Sequence, residues 1–312
     1  MNQPSPTRLR AISRERSRTR LSLVPPRELR TRYSPLALWH LLSLDAPTVA
    51  ALWTWFVARC CGLALPWSAP AAMFLAVWML YATDRLLDAR LLEARPDAAL
   101  PELEERHRFH HRHKRAFLAG IVGASALLAG LLPRIAPEAL RLYALLASLL
   151  FAYFFLIHIY PSNNSSVGAP RLPKELAVGI FFPAAVFIPT VARVPELRLL
   201  LAPAALLFAA VCTLNCLYLY AWEHPGSRVE AHWTTRFATR HLPALSGITA
   251  MLCCGVFAFE PRGAAMLTLA SGMSVLLLML LHWRWERLSA IHLRAAADLA
   301  LLTPLLLVFF LR

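Results

Sequence analysis

The sequence predicts an all-α fold, a multi-pass transmembrane helical bundle of about nine helices. Three observations carry that expectation. Of the 312 residues, 58% are hydrophobic and only 16% are charged, where a soluble domain carries about 25% charged residues. The chain also contains repeated runs close to the roughly 20 apolar residues that a bilayer crossing requires. Finally, the basic residues are unevenly placed around those runs. With a cytosolic amino terminus, 25 of the 32 lysines and arginines fall in the tail and loops on that side and 7 on the other, as the positive-inside rule expects.

The expected spans are 46–65, 66–83, 116–133, 139–158, 175–192, 199–221, 242–259, 264–282 and 295–311. The fifth contains Pro183 and Pro189, which transmembrane helices tolerate when neighbours satisfy the freed carbonyls. Residues 1–38 read as a basic, disordered cytosolic tail, and 39–312 as the transmembrane domain. The tail carries "RLRAISRERSRTR" and has no apolar core, so it is not a secretory signal; its arginines suit anionic headgroups. The net charge of +14 is supplied almost wholly by arginine. In so apolar a chain, this favours membrane lipid and phosphate-bearing substrates over nucleic acid. The cysteines at 60, 61, 212, 216, 253 and 254 lie in apolar stretches without a CxxC spacing, and read as small hydrophobes.

Against this background the acids stand out. "YATDRLLDAR" follows the second apolar run and places Asp84 and Asp88 four residues apart. If the helix continues through them, both carboxylates share a face one turn apart. Two like charges so close suit a bound Mg²⁺, which takes carboxylate and phosphate oxygens together. Pairing with Arg85 and Arg90 in water is the plainer alternative. The sixth run ends "CTLNCLYLYAWEHPGSR", where Asn215 and Glu223 are eight apart on one helical face. Polar residues in such a run usually face a cavity, so they form a second candidate metal face. Arg171 and Lys174 open the fifth span, where they would neutralise a leaving diphosphate. Arg85, Tyr160 and Tyr218 complete the candidate substrate-binding set. Asp45 before Pro47 reads as a helix N-cap. Asp298 reads as a partner of Arg294 one turn earlier, with a cavity-facing position as the alternative.

These residues resemble the UbiA superfamily of intramembrane prenyltransferases. "LYATDRLLD" matches the last two acids of the family's NDxxDxxxD motif as Asp84 and Asp88, with Leu80 and Tyr81 in place of the leading Asn-Asp. The basic residue that follows a Tyr-Pro in the family is matched by Lys174 after Tyr160-Pro161. The second motif, DxxxD, is matched only by Glu223, with Ser227 at its other end. The resemblance covers roughly 40–311. It implies an enzyme that binds a prenyl diphosphate through Mg²⁺, on the cytoplasmic side, and passes the isoprenoid group to a small aromatic or lipid acceptor. Asn215, Leu219 and Glu223 also sit at the spacing of the NxxxSxxxE motif of class I terpene cyclases. A cyclase of the UbiA type, acting without an acceptor, is therefore the first alternative. The eroded motifs leave a non-catalytic, lipid-binding member as a second. A third rests on "RHRFHHRHKR", whose His107, His110, His111 and His113 resemble one histidine box of the membrane di-iron oxygenases.

Overall fold

The computed structural model describes residues 33–93, 103–159, 174–224 and 233–310. Among these, every regular element is helical. The chain divides into 1–34 and a second unit, Pro35–Arg312, which contains all the helices described below.

A short helix, α1 (Pro35–Leu41), is followed after a sharp bend by α2 (Asp45–Cys60); their axes differ by 88°. The bend is made by Ser43, fully buried with φ 57°, a left-handed conformation that is uncommon without glycine. Leu44 N–H donates back to the Trp39 carbonyl across it at 3.0 Å. The Asp45 carboxylate does not cap α2 from outside. Leu44 holds the N-cap position with no side-chain bond, and Asp45 is the first helical residue. The end of α2 is closed by Gly62 at φ 69°, while Leu63 N–H reaches the Ala58 carbonyl at 2.8 Å. This is the six-to-one bond of a glycine-terminated helix.

Next come α3 (Ser68–Glu93), α4 (Leu103–Arg112), α5 (Lys114–Leu131), α6 (Pro137–Ile159), α7 (Lys174–Arg193) and α8 (Leu197–Glu223). The chain continues through α9 (Trp233–Arg240), α10 (Leu242–Phe259), α11 (Arg262–Trp283), α12 (Ala290–Leu299) and α13 (Pro304–Leu307). The long helices fall where apolar runs predict them. Their count as membrane spans is lower than expected. Among the described residues six segments are long and apolar enough to cross a bilayer: 114–134, 175–193, 197–223, 242–259, 262–283 and 290–310. A seventh counts only if α1 and α2 form one bent span. The expected spans 66–83 and 139–158 fall on helices α3 and α6, which are not among these six; part of each helix lies outside the described side chains. The chain is a multi-pass helical membrane protein, and its described residues do not show nine spans.

Central in the bundle, α8 packs against α7, α10, α11 and α12, while α2 packs against α3 and α7. The core is aromatic at its middle: the Trp53 ring stacks on Phe208 with centroids 3.9 Å apart. The last expected span is interrupted between α12 and α13, and the break is satisfied from inside the protein. Trp53 Nε1 donates to the freed Leu301 carbonyl at 2.7 Å, and Thr303 Oγ1 donates to the Ala270 carbonyl at 2.8 Å. Irregular backbone at membrane depth requires such partners. The outer surface is apolar: Val122 is 71% exposed, Leu199 87% and Phe259 92%. A surface like this is matched by lipid rather than water.

Glycines set two of the closest helix approaches. A Cβ on Gly179 of α7 would collide with Thr213 Oγ1 of α8, and one on Gly263 of α11 with the Cys60 carbonyl of α2. Small residues permit such approaches in membrane bundles. Gly263→Val meets backbone, which cannot swing aside, and is expected to destabilise the protein by about 1–3 kcal/mol, the usual cost of overpacking. Gly247→Ala meets nothing within 4 Å and serves as the neutral control. Thermal unfolding in detergent measures both.

Candidate functional site

The bend at Ser43 has one direct consequence. It turns α1 back so that His40 Nδ1 lies 2.5 Å from Asp45 Oδ2, although five residues separate them. Asp45 Oδ1 also accepts the Ala46 N–H at 3.0 Å. Both side chains are covered, at 2% and 1% exposure. From α3 the Arg85 guanidinium reaches the same carboxylate, with Nη2 3.8 Å from Oδ2. Arg85 is buried as well, so this is an ion pair removed from water, where loss of one partner is costly.

From the far end of the chain, α12 adds Asp298. Donor atoms of His40, Asp45 and Asp298 all lie within 4.8 Å of one another. Asn215 of α8 donates through Nδ2 to Asp298 Oδ1 at 3.0 Å. Eight residues on, Glu223 forms an ion pair with Arg294. Asn215 and Glu223 thus face Asp298 and Arg294 in reverse order, matching one polar stripe on α8 to one on α12. Four atoms in this assembly are buried without a hydrogen-bond partner: His40 Nε2, Arg85 Nη1, Asn215 Oδ1 and Glu223 Oε1, the last held by its ion pair with Arg294. Buried polar atoms are rarely left so; a bound water, ion or ligand would satisfy them.

The candidates read from sequence distribute around this centre. α3 does run unbroken through Asp84 and Asp88, so Tyr81, Asp84, Arg85 and Asp88 share one helical face. Asp84 is half-buried; the Asp88 side chain lies outside the described residues. Arg85 is drawn inward to Asp45. Asn215 and Glu223 are brought together with α12: Arg294 goes to Glu223 rather than to Asp298. Tyr218 is a core residue, with its hydroxyl 2.8 Å from Ser246 Oγ and its ring against Trp222 and His282. Lys174 is the first residue of α7, its side chain outside the described set, as are Tyr160 and Arg171 altogether. The histidine stretch does not gather metal ligands among the described residues. His110 is instead fully buried, stacked on Phe117 with centroids 4.3 Å apart and 3.4 Å from Ser43 Oγ.

His40 was not among the sequence candidates, and Asp45 and Asp298 were assigned local roles. The available signal was an acid within or beside an apolar run, which is expensive in lipid and marks function. No family model matches the chain, and neither a curated protein nor a solved structure matches it.

The ion pair sets an order of stabilities. Asp45→Asn removes the carboxylate that Arg85 pairs with inside the bundle and is expected to cost about 3–5 kcal/mol. Glu138→Gln removes the exposed contacts to Arg141 and Arg198 and is expected to cost less than about 1 kcal/mol. Denaturation midpoints of the two variants in one detergent give the comparison.

Proposed function

We propose that this protein is an intramembrane enzyme of the UbiA kind that processes a prenyl diphosphate. The observation that carries this reading is the Arg85 guanidinium, buried one residue beyond Asp84 with Nη1 lacking an acceptor. A covered cationic donor at the rim of an apolar helix suits a phosphate oxygen, to which charge-assisted hydrogen bonds are strong. The preceding apolar turns of α3 suit the isoprenoid tail.

In this reading Arg85 Nη1 donates to the diphosphate while Nη2 keeps Asp45, so the guanidinium is oriented before substrate arrives. Asp84, with Asp88 a turn further on, fits a Mg²⁺ ion. Glu223 does not fit a second one, because Arg294 already neutralises its charge. Mg²⁺, when bound, supplies neutralisation of the diphosphate charge as the leaving group departs. Lys174 and Arg171 add positive charge at the start of α7. Burial keeps bulk water from the reacting carbon, and the group is passed to an aromatic or lipid acceptor. Without an acceptor the same site would act as a cyclase. The arginine asymmetry supports placing the amino terminus and this end of the bundle on the cytoplasmic side.

The test is incubation of the purified protein with prenyl diphosphates of several chain lengths and Mg²⁺, scoring pyrophosphate release and organic products by mass spectrometry. Mg²⁺-dependent release is expected, lowered at least about 100-fold in Asp84→Asn and in Arg85→Gln, with both variants still monodisperse. Absence of release with every chain length and acceptor tried, or full release by Asp84→Asn, contradicts the proposal. An iron-dependent oxidation would favour the oxygenase instead.

A further inference from the structure

We propose that His40, Asp45 and Asp298, with Asn215 as fourth donor, form a buried site for one divalent transition-metal ion of the zinc or manganese class. This site touches the Arg85 region through Asp45 but takes no donor from α3, and it does not rest on the enzymatic reading. Its donors come from α1, α2, α8 and α12, elements that only the tertiary fold brings together. Three of the donor atoms already lie within 4.8 Å of one another, a separation that ligands of a single ion can occupy.

Charge and hydrogen bonding both ask for a cation here. Ionised together, Asp45 and Asp298 would face the single cation Arg85, because Arg294 is already paired with Glu223. An unbalanced charge in a low-dielectric interior is costly. A proton shared between Asp45 and Asp298 would restore the balance. It would leave His40 Nε2 and Asn215 Oδ1, both fully covered, still without partners. A metal ion answers more of the site, because it takes an imidazole nitrogen and an amide oxygen as readily as carboxylates. The donor chemistry then selects the metal. Mg²⁺ prefers an all-oxygen octahedron and keeps several waters, which a closed site with a histidine does not offer. Mixed nitrogen and oxygen donors at low coordination suit zinc, or manganese where oxygen dominates. Bound there, the ion would clamp the first helices of the bundle to the last.

The experiment uses the full chain, purified in detergent, stripped with a chelator and dialysed against equimolar Zn²⁺ or Mn²⁺. Retained metal is counted by elemental mass spectrometry. About one ion per chain is expected for the wild type and for Glu138→Gln, whose contacts are exposed, falling at least about 10-fold in Asp298→Asn and in His40→Gln. Size-exclusion profiles show that the variants remain folded. Should ligand substitution unfold the protein, Co²⁺ in the wild type gives a second reading. An intense visible absorption, abolished by added Zn²⁺, reports an ion in a low-coordinate protein site. A folded wild type that retains no ion and gives no such absorption overturns the proposal, as does Asp298→Asn retaining metal like the wild type. Loss of metal in Asp84→Asn alone would move the ion to the other site and equally overturn it. None of these outcomes bears on pyrophosphate release, so the two readings fail separately.

Discussion

The Asp45 carboxylate is the constraint around which the bundle is arranged. A buried carboxylate needs compensation several times over, and here it arrives from three directions. His40 comes from the preceding helix, Arg85 from α3 and the Ala46 N–H from its own backbone. The His40 contact is possible only because the chain turns sharply between α1 and α2. The left-handed Ser43 is thus part of the site, although it touches no substrate candidate. The bend positions His40, His40 and Arg85 fix Asp45, and Asp45 then faces Asp298 across the bundle.

A second constraint follows from α8 and α12. Their polar stripes match in antiparallel order, Asn215 with Asp298 and Glu223 with Arg294. Four polar side chains in otherwise apolar helices fix the register of these elements more sharply than apolar packing would. The short α12 is consistent with this role. It stops at Leu299, and the interruption behind it is anchored by Trp53 and Thr303. A longer uninterrupted helix would bring no carbonyl to the Trp53 indole.

Much of this was legible in the sequence because bilayer physics writes in long runs. Segments such as 199–221 and 242–259 had to be helices, and α8 and α10 follow them closely. The face shared by Asp84 and Asp88 was legible too, since it needed only a helix that does not stop. The Ser43 bend was hidden, because nothing in "WHLLSLDAP" marks a left-handed serine. Asp45 looked like a cap because it precedes a helix with Pro47 near its start. The interruption after Leu299 was marked only by Thr303-Pro304, a signal that uninterrupted transmembrane helices also tolerate. For Asp298 a local partner, Arg294, competed with Asn215, 83 residues away. Sequence spacing shows the first and cannot show the second. Periodicity reports which face a residue occupies, while the partner across that face is set by tertiary packing.

The central claim is that Asp45 and Asp298 share one buried electrostatic centre. A double-mutant cycle on these positions tests it most directly, using Asp45→Asn, Asp298→Asn and the double variant in thermal or denaturant unfolding. The account gives a coupling of about 1–3 kcal/mol, the double variant departing by that much from the two losses added together. Additivity within about 0.5 kcal/mol would mean that the two carboxylates do not sense each other, and would contradict it.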